Sequence, residues 1–447
     1  MFAGQGQCGE CYKSELDLFS TPPLNTSMDK GGWVEFRPIA TITPGSPIEF
    51  NVTATDDDYT DISRTYLYLQ ATIRKNNNDG ANLKIDNTTD SIAPINLWLH
   101  SLFSQIDIKL NGTLVTPSIN TYPFRSYLET LLSYGKGAKL GQLTMQGWYQ
   151  DTGGEFDNII LAAANNHNVG FKARKKMVAQ TGPVEFLGRL HCDIFQQDRY
   201  LPNGVDMSIK MIPSADQFSM IGDTLANTTY KVVIDSAVLC VRRVKINPSI
   251  NIEHNKMLNS GVNMKYPIKR AVVNTFTIPA GTISKVQDNV IQGQLPRRIV
   301  LGMVENEAYN GTLKKNPFNF KDFDATFIGL YTDGECIGSN PYKPCFKENL
   351  FLRSYMSLFE GTGILNANAD NYIRKSDFPN GYMLHVFDLS TDLSEAPSSY
   401  INPVKHGSLR VELHFGEALT QAINIVLYCE YDNLMQIDRA RNIITDY

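Results

Sequence analysis

The chain has 447 residues, of which 42% are hydrophobic and 19% charged, and its formal net charge is −5. This length exceeds what a single hydrophobic core usually stabilises, so we expect two domains of about 200 residues each. The mild negative charge argues against a protein that binds nucleic acid through its overall field, although it leaves room for a local basic patch.

Residues 1–30 are rich in glycine, proline and polar residues and show little periodicity, so they predict an extended arm. The arm contains Cys8-Gly9-Glu10-Cys11, a spacing found in zinc sites and in redox pairs. Zinc needs four ligands, and no second CxxC or HxxxH pair follows; a redox CxxC should open a helix in a βαβ unit. A structural metal at Cys8 and Cys11, including one in a site completed between subunits, is therefore disfavoured, and a redox role more so.

The first domain begins with strand-like runs at residues 33–40, 47–54 and 66–74. Between the last two runs, Asp56-Asp57-Asp58 and Asp61 cluster as in a calcium loop, but the glycine and the spaced glutamate of such a loop are missing. We expect a solvated turn there.

A hairpin and a short helix follow. The apolar stretch over residues 92–110 leads to Asn111-Gly112, a dipeptide suited to the positive φ angles of a tight turn. An amphipathic helix is predicted next, because apolar residues fall at i, i+3, i+4 and i+7 and a glycine follows. These residues are Phe124, Tyr127, Leu128 and Leu131, with Gly135 as the predicted stop.

Residues 135–183 form a large insertion, which we interpret as loops at one end of a β-sandwich. It contains Trp148 and the basic run Lys172-Ala173-Arg174-Lys175-Lys176. We expect this run on an accessible loop, either solvated or in weak contact with nucleic-acid phosphates. Beyond it, residues 205–211 alternate as a half-buried strand, and residues 230–241 are more continuously apolar, which suits a strand covered on both faces.

The second half repeats this order. Residues 247–267 are interpreted as a connector with a helix over 252–258 and a domain boundary near Ser249. Strands at 268–278 and 297–304 are followed by a turn at Asp333-Gly334, a helix, an alternating strand over 409–415 and a full strand over 422–431. The helix carries Leu352, Tyr355, Met356 and Phe359 at the spacing of the first, with Gly363 as its stop. The two halves therefore indicate a duplicated fold. The most similar segments are Phe124-Arg125-Ser126-Tyr127-Leu128 and Leu352-Arg353-Ser354-Tyr355-Met356.

Signs of catalytic chemistry are missing from the sequence. It contains no GxSxG nucleophile elbow and no glycine-rich phosphate loop, and its seven histidines are isolated from one another. Cys336 and Cys345 flank a loop that is expected to be structural. The seven cysteines are scattered, which favours reduced thiols, and Cys192, Cys240 and Cys429 should pack as small hydrophobic residues. We predict no catalytic, cofactor-binding or metal-binding residues and no cofactor, and therefore no enzyme.

A series of short sequence blocks runs along nearly the whole chain. In the first half the blocks are Ser14-Glu15-Leu16-Asp17-Leu18-Phe19, Pro22-Pro23, Trp33-Val34-Glu35-Phe36-Arg37-Pro38, Tyr59-Thr60-Asp61, Pro94-Ile95-Asn96, Leu99-His100-Ser101-Leu102-Phe103 and Tyr122-Pro123-Phe124-Arg125-Ser126-Tyr127-Leu128-Glu129. In the second half they are Tyr266-Pro267, Asn316-Pro317-Phe318-Asn319-Phe320, Arg353-Ser354-Tyr355 and the closing residues 428–447. In this order the blocks resemble the major capsid proteins of Polinton/Maverick elements and their adintovirus relatives, a double-jelly-roll lineage shared with adenovirus-like and giant-virus-like capsids.

This resemblance implies an all-β fold of two tandem eight-stranded jelly-roll β-sandwiches, with short helices in the connecting loops. The expected division is an arm over residues 1–30, a first jelly roll over 31–249 and a second over 250–447. Residues 135–183 and 302–344 are the expected tower or rim loops. The implied function is a viral or virus-like transposon major capsid protein whose homotrimers form pseudo-hexameric capsomers in an icosahedral shell.

The implied partners are neighbouring capsomers, a penton protein, a minor cement protein, a maturation protease and a packaging ATPase, with weak contact to packaged double-stranded DNA. The implied location is the virion capsid, assembled in the nucleus or the cytoplasm of the host cell. No secretory segment opens the sequence and no apolar stretch is long enough to span a bilayer. The alternative function is a carbohydrate-binding or carbohydrate-cleaving double β-sandwich, which would need an exposed aromatic platform or two carboxylates about 5 to 10 Å apart in a groove.

Overall fold

A computed structural model of the chain describes residues 18, 21, 24–77, 82–85, 89–160, 167–179, 182–223, 228–338, 340–390 and 402–445. The strands of the first half are β1 (Met28–Phe36), β2 (Ile48–Val52), β3 (Asp58–Asn77), β4 (Asn82–Lys84), β5 (Ile92–Pro94), β6 (Phe103–Leu110), β7 (Thr113–Leu114), β8 (Val184–Gly188), β9 (Met207–Pro213), β10 (Met220–Gly222) and β11 (Thr228–Ile246). Those of the second half are β12 (Met264–Ile278), β13 (Ser284–Gln294), β14 (Arg298–Glu305), β15 (Phe320–Lys321), β16 (Ala325–Thr332), β17 (Glu335–Cys336), β18 (Asn380–Gly381), β19 (Leu384–Asp388), β20 (His406–Phe415), β21 (Ile423–Ile437) and β22 (Ile443–Thr445).

Eight α-helices are described, and they are shorter than the long strands. They are α1 (Trp98–Ser101), α2 (Tyr122–Ser133), α3 (Lys136–Leu140), α4 (Val169–Val178), α5 (Asp216–Ser219), α6 (Pro248–Asn259), α7 (Asn306–Asn310) and α8 (Leu352–Glu360). Helix α6 lies between the last strand of the first half and the first strand of the second, where the sequence predicts a helical connector.

Each half is a sandwich of two antiparallel sheets with the same strand order. In the first half the sheets run β1-β11-β3-β8 and β2-β9-β6-β7, with β4 as an extra strand beside β3. In the second half they run β12-β21-β14-β19 and β13-β20-β16-β17, with β22 beside β21. Numbering the eight main strands of each half in chain order gives 1-8-3-6 opposite 2-7-4-5 both times. This is the jelly-roll order, so the predicted double jelly roll is confirmed.

The duplicated sequence features occupy equivalent places. The turn Asn111-Gly112 joins β6 to β7 and Asp333-Gly334 joins β16 to β17, and all four residues have positive φ. Helix α2 lies between the fifth and sixth main strands of the first half, and α8 lies between the fifth and sixth of the second. The order of hairpin, helix and two further strands therefore repeats as predicted.

The burial of the repeated helix and strands differs from the prediction. Leu352 and Met356 of α8 are exposed, whereas Ser354, Ser357 and Leu358 are buried. Strand β11 is buried mainly at alternate positions, so the two-sided cover expected for residues 230–241 is wrong, whereas β21 is buried at each of its first nine positions.

One of the two predicted glycine stops is confirmed. Gly135 has φ −81° and precedes α3, so it does not terminate α2 through a left-handed conformation. Gly363 has φ 69°, and the N–H groups of Gly363 and Ile364 donate to the carbonyls of Glu360 and Phe359, which is the hydrogen-bond pair of a glycine-terminated helix.

The described parts of both predicted tower loops contain secondary structure. The 135–183 insertion contains α3, α4 and a 3₁₀ turn (Gln142–Gln146), and its Trp148 is buried. Residues 302–344 include the end of β14 and the whole β16–β17 hairpin. In addition, β1 begins at Met28, inside the segment predicted as an arm, and Pro267 lies within β12 rather than in a connector. Pro267 suits the edge strand of a sheet, where it removes no ladder hydrogen bond.

The two halves share their cores. One hydrophobic cluster fills the first sandwich but includes Tyr266, Ile268 and Ile437 from the second half. The other fills the second sandwich but includes Phe124 and Tyr127 of α2, among other side chains from the first half. Since each core contains residues from both halves, the junction between the halves is a packed interior.

Candidate functional site

The junction is centred on α2, which crosses from the first half onto the sheet β12-β21-β14-β19. Its aromatic residues reach second-half side chains: the rings of Tyr127 and Phe318 stack with centroids 4.1 Å apart, and Phe124 meets Phe318 edge to face at 5.7 Å. Such pairs add about 0.5–1.5 kcal/mol beyond area burial. Within the same helix, Arg125 and Glu129 form an i, i+4 ion pair with Nε and Oε1 2.8 Å apart.

A buried charge network extends from this pair into the second half. Arg125 also pairs with Asp193 at 2.7 Å, and the Tyr428 hydroxyl donates to Glu430 at 2.7 Å and lies 3.2 Å from Glu129. Glu430 pairs in turn with Arg298 at 2.5 Å. Each of the three buried carboxylates therefore has a guanidinium partner, as a low-dielectric interior requires, and the neutral Tyr428 hydroxyl lies between Glu129 and Glu430.

Titration of the network follows from burial and from these partners. Burial by itself would raise the pKa of Glu129, but the Arg125 guanidinium and the hydrogen bond from His191 hold that pKa well below its usual range. Burial would likewise raise the pKa of Glu430, and Arg298 outweighs it and lowers the pKa. Asp193 behaves oppositely, since burial raises its pKa against the attraction of Arg125. Glu129 and Glu430 are therefore carboxylates at neutral pH.

First-half side chains cover the backbone along the edge of β12 that does not pair with β21. The Asp193 carboxylate accepts the Ala271 N–H at 3.1 Å, and Arg125 Nη1 donates to the Ala271 carbonyl at 3.3 Å. Thr121 donates to the Val273 carbonyl at 3.4 Å. An uncovered strand edge is a template for pairing with other chains, and here side chains rather than a strand close it.

The insertion is fixed to the second half by a second buried cluster. Arg174 is fully buried; it pairs with Asp151 at 2.7 Å and donates to the carbonyl of Pro94 at 2.8 Å. The other carboxylate oxygen of Asp151 accepts from Asn316 of the second half at 3.2 Å. Lys139 is also buried and donates to the Asn371 carbonyl at 2.6 Å, and burial lowers its pKa to about 7.

The expectation that the basic run lies on an accessible loop is therefore wrong. The run forms part of α4, and two of its four cations, Arg174 and Lys175, are buried. Lys175 donates to the Asp90 carbonyl at 2.7 Å. Only Lys172 and Lys176 of the run are exposed.

The histidines are not all isolated, contrary to the expectation from sequence. The rings of His100 and His191 meet edge to face with centroids 4.7 Å apart, and His191 Nδ1 lies 2.6 Å from Glu129 Oε2. Burial lowers the pKa of His100, and burial raises that of the Cys192 thiol, which follows His191 in the chain. A protonated thiol lacks the ionised nucleophile of a cysteine–histidine pair. The link from this cluster to the second half is Glu129, which lies 3.2 Å from the Tyr428 hydroxyl.

The other candidate residues are separated or lie outside the described part of the chain. Cys8 and Cys11 fall outside the described residues. Asp61 is buried and lies 3.7 Å from Arg64, whereas Asp56 and Asp57 are exposed. Cys336 and Cys345 are free thiols, as are Cys192, Cys240 and Cys429. Within the described ranges, no group of three or more histidine, cysteine or acidic residues is arranged to hold a metal ion, and no helix is both long and apolar enough to cross a membrane.

Two apolar surfaces outside the junction are exposed. The sheet patch lies on the outward face of β1-β11-β3-β8 and consists of Trp33, Tyr66, Tyr68, Leu187 and Val238. Trp33 is 52% exposed and Leu187 38%, and Trp33 packs on Tyr66 with ring centroids 5.5 Å apart. The helix patch consists of Leu350, Leu352 and Met356 at the start and on one face of α8. Leu352 is 61% exposed and Met356 43%.

Comparison with known proteins agrees with this architecture. No family model matches the chain. An uncharacterised protein of Caenorhabditis elegans is 25% identical over 430 residues, which cover 95% of this chain and 99% of the relative.

Similar solved structures cover nearly the whole chain. A chain of the Sputnik virophage has a TM-score of 0.62 at 12% identity and covers 98% of this chain and 92% of its own. A chain of the PBCV-1 virus capsid has a TM-score of 0.57 at 10% identity and covers 96% and 99%. The mavirus major capsid protein has a TM-score of 0.54 at 11% identity and covers 100% and 95%. At these identities the likeness establishes the fold, a double jelly roll throughout.

Proposed function

We propose that the chain is a major capsid protein of a virus or virus-like element, whose homotrimers tile an icosahedral shell. The observation that carries this proposal is the presence of two jelly rolls of identical strand order in one chain, in the fold of the mavirus major capsid protein. A capsid protein needs a defined shape and contact surfaces rather than an active site. The charged groups at the junction are buried and paired, which is consistent with a structural role.

A trimer gives the duplication a physical purpose. Three copies of a doubled fold present six similar modules, which can pack on a hexagonal lattice. Light scattering coupled to size exclusion should give a trimer at micromolar concentration, and negative-stain microscopy should show hexagonal capsomers or shells. A monodisperse monomer without particles under any assembly condition would contradict the proposal.

Within this lineage we assign the chain to the Polinton/Maverick and adintovirus type. The support is the run of sequence blocks along both halves, together with a relative of nearly full length in a nematode, as expected for elements carried in animal genomes. Genes for a penton protein, a minor cement protein, a maturation protease and a packaging ATPase should then lie beside the gene for this chain. A genomic neighbourhood of unrelated host genes would instead indicate a domesticated copy.

The proposed division is an arm over residues 1–30, a first jelly roll over 31–249 and a second over 250–447. The arm is proposed to reach an adjacent capsomer or the particle interior. Because β1 begins at Met28 and Asn247 donates to the Thr26 carbonyl at 3.2 Å, the test is removal of residues 1–23, which leaves these contacts intact. Trimers should persist and shells should fail to form; unchanged assembly would refute a role for the arm.

Contact with packaged double-stranded DNA is proposed to be weak, and assembly is proposed to occur in the nucleus or the cytoplasm of the host. The net charge of −5 and the burial of half the basic run leave few exposed cations there. Replacing Lys172 and Lys176 by alanine should lower the DNA content or nuclear import of particles at most, and leave trimers intact. Loss of the trimer in this variant would show that the two lysines serve assembly.

A further inference from the structure

We infer that the helix patch of one copy packs on the sheet patch of a second copy, repeating between chains the contact that α2 makes within the chain. The inference rests on the proposed trimer and specifies which surfaces close it. The occupant of both patches is a second copy of this chain.

The first step is the different burial of equivalent helix positions. In the matched pentapeptides, Phe124 corresponds to Leu352 and Leu128 to Met356. Phe124 and Leu128 are 3% and 1% exposed, because α2 is packed into the core of the second half, where Phe124 contacts Tyr309 and Phe318. Leu352 and Met356 keep apolar side chains at the same two positions but are largely exposed. An apolar face that is buried in one repeat and open in the other indicates a missing partner.

The second step is the different burial of the equivalent sheets. The second-half sheet is buried on both faces, since β21 is buried at nine consecutive positions and β14 at all but its first residue. The first-half sheet is buried on one face, and its other face carries the sheet patch with Trp33 exposed. The surface that α2 covers in one half therefore has an uncovered counterpart in the other.

The third step is the edge strand of each sheet. The free edge of β12 is closed by Asp193, Arg125 and Thr121 of the first half. Strand β1 is the corresponding edge, and eight of its nine residues are exposed. Among the described residues no strand pairs with the outer edge of β1. A bare edge of this length needs cover in a stable particle.

One docking geometry fits all three differences. If the second half of one copy lies against the first half of the next as the two halves lie within the chain, α8 meets the outward face of β1-β11-β3-β8. Arg353 stays with its own chain in this geometry, since it donates to the Asn340 carbonyl at 2.9 Å and lies over the Tyr342 ring. The contact is head to tail, and repeated rotation closes it into a ring.

The test uses two variants that each disable one patch. The helix variant carries Leu352→Glu and Met356→Glu, and the sheet variant carries Trp33→Glu and Leu187→Glu. All four side chains are exposed within the chain, so each variant should keep its circular dichroism spectrum and melting temperature. Each variant alone should be monomeric by native mass spectrometry. A mixture of the two should form a dimer of one copy of each, because one intact helix patch meets one intact sheet patch.

The matched control is Ile283→Glu, which places the same charge at a residue that is 58% exposed and belongs to neither patch. It should remain trimeric. Trimers of either patch variant, homodimers of one variant in place of the mixed dimer, or loss of the trimer in the control would overturn the inference. A wild-type monomer would instead defeat the proposed function itself.

Tryptophan fluorescence gives an independent measurement. Trp98 and Trp148 are buried within the chain, so Trp33 is the exposed member of the three tryptophans. Acrylamide should quench Trp33 weakly in the wild-type trimer and several-fold more strongly in the helix variant, whose own sheet patch is unchanged. Equal quenching in both would show that Trp33 stays open, as a carbohydrate-binding platform would require, and would overturn the inference.

Discussion

Arg174 was predicted to be accessible because of its residue type, but the side chains and carbonyls around it in the fold bury it. In sequence it belongs to a basic run, whereas in the fold its guanidinium reaches Asp151 and the carbonyls of Pro94 and Tyr149. Those partners come from three separate positions along the chain, so the local pattern carries no signal of burial. His100 and His191 meet for the same reason, ninety-one positions apart in the chain.

Replacing Arg174 by alanine should lower the free energy of unfolding by about 3–5 kcal/mol, because it leaves Asp151 buried without its cation. Urea unfolding followed by circular dichroism measures the change. Lys176→Ala is the matched control; its side chain is exposed in the same helix, and the cost should stay within about 0.5 kcal/mol. Equal costs at the two positions would contradict the burial of Arg174.

His385 should make stability depend on pH. Burial between Tyr342 and Phe378 lowers its pKa to about 3, and neither ring nitrogen has a hydrogen-bond partner. The unfolded chain takes up a proton at this residue near pH 6.5 and the folded chain does not, so stability is lost as the pH falls from 6.5 towards 3. The loss is about 1.4 kcal/mol per pH unit.

His385→Leu should remove that part of the acid sensitivity, worth about 2–3 kcal/mol between pH 6.5 and 4.5. Denaturant midpoints measured at both pH values give the difference. His406→Leu serves as the control, since His406 is exposed at the start of β20. If the slope with pH is the same in His385→Leu as in the unsubstituted protein, His385 is not held neutral.

Secondary-structure elements were predictable where the signal is local. Asn111-Gly112 and Asp333-Gly334 define two hairpins because few other residues accept positive φ at consecutive positions. The position of α8 followed from its spacing, but the cover on its apolar face depends on which chain lies against it. The same limit applies to β11. An apolar run predicts a strand, but it does not reveal whether other elements cover one or both faces of that strand.

The hairpin turns provide a test of duplicated backbone geometry. Gly112→Ala and Gly334→Ala should each cost about 1–2 kcal/mol, because φ is 83° and 91° and a Cβ is disfavoured there. A Cβ at either position would meet nothing within 4 Å, so the cost is confined to the backbone. Gly137→Ala, where the space is equally open and φ is not positive, should cost nothing in the same unfolding assay. A similar loss at Gly137 would indicate a different cause.

At the scale of the whole molecule, the sequence indicated two repeats but not how they interlock. The repeat can be recognised from local patterns that occur once in each half. The junction instead brings together residues that are far apart in the chain, Glu129 with Tyr428 and Asp151 with Asn316. The insertion was interpreted as loops because of its size and its expected place at the end of a β-sandwich. It is instead part of the shared core.

Because each core contains side chains from both halves, the chain should unfold in one transition. Calorimetry of the full-length monomeric helix variant should show a single peak whose calorimetric and van't Hoff enthalpies agree. Residues 250–447 expressed alone should give no cooperative transition, since the outward face of their sheet loses α2 and Phe124. Two separate peaks in the intact chain, or a stably folded fragment, would contradict a shared core.

The connector α6 has a consequence for the speed and concentration dependence of assembly. In a ring of six modules made from three chains, every second junction is already closed by a peptide link and forms at a high effective concentration. Only the contacts between chains pay the entropy of bringing free molecules together, a cost of several kcal/mol for each association. Because each chain already carries two modules, three molecules rather than six must associate. Rings can therefore form at protein concentrations where unlinked single jelly rolls would remain monomeric.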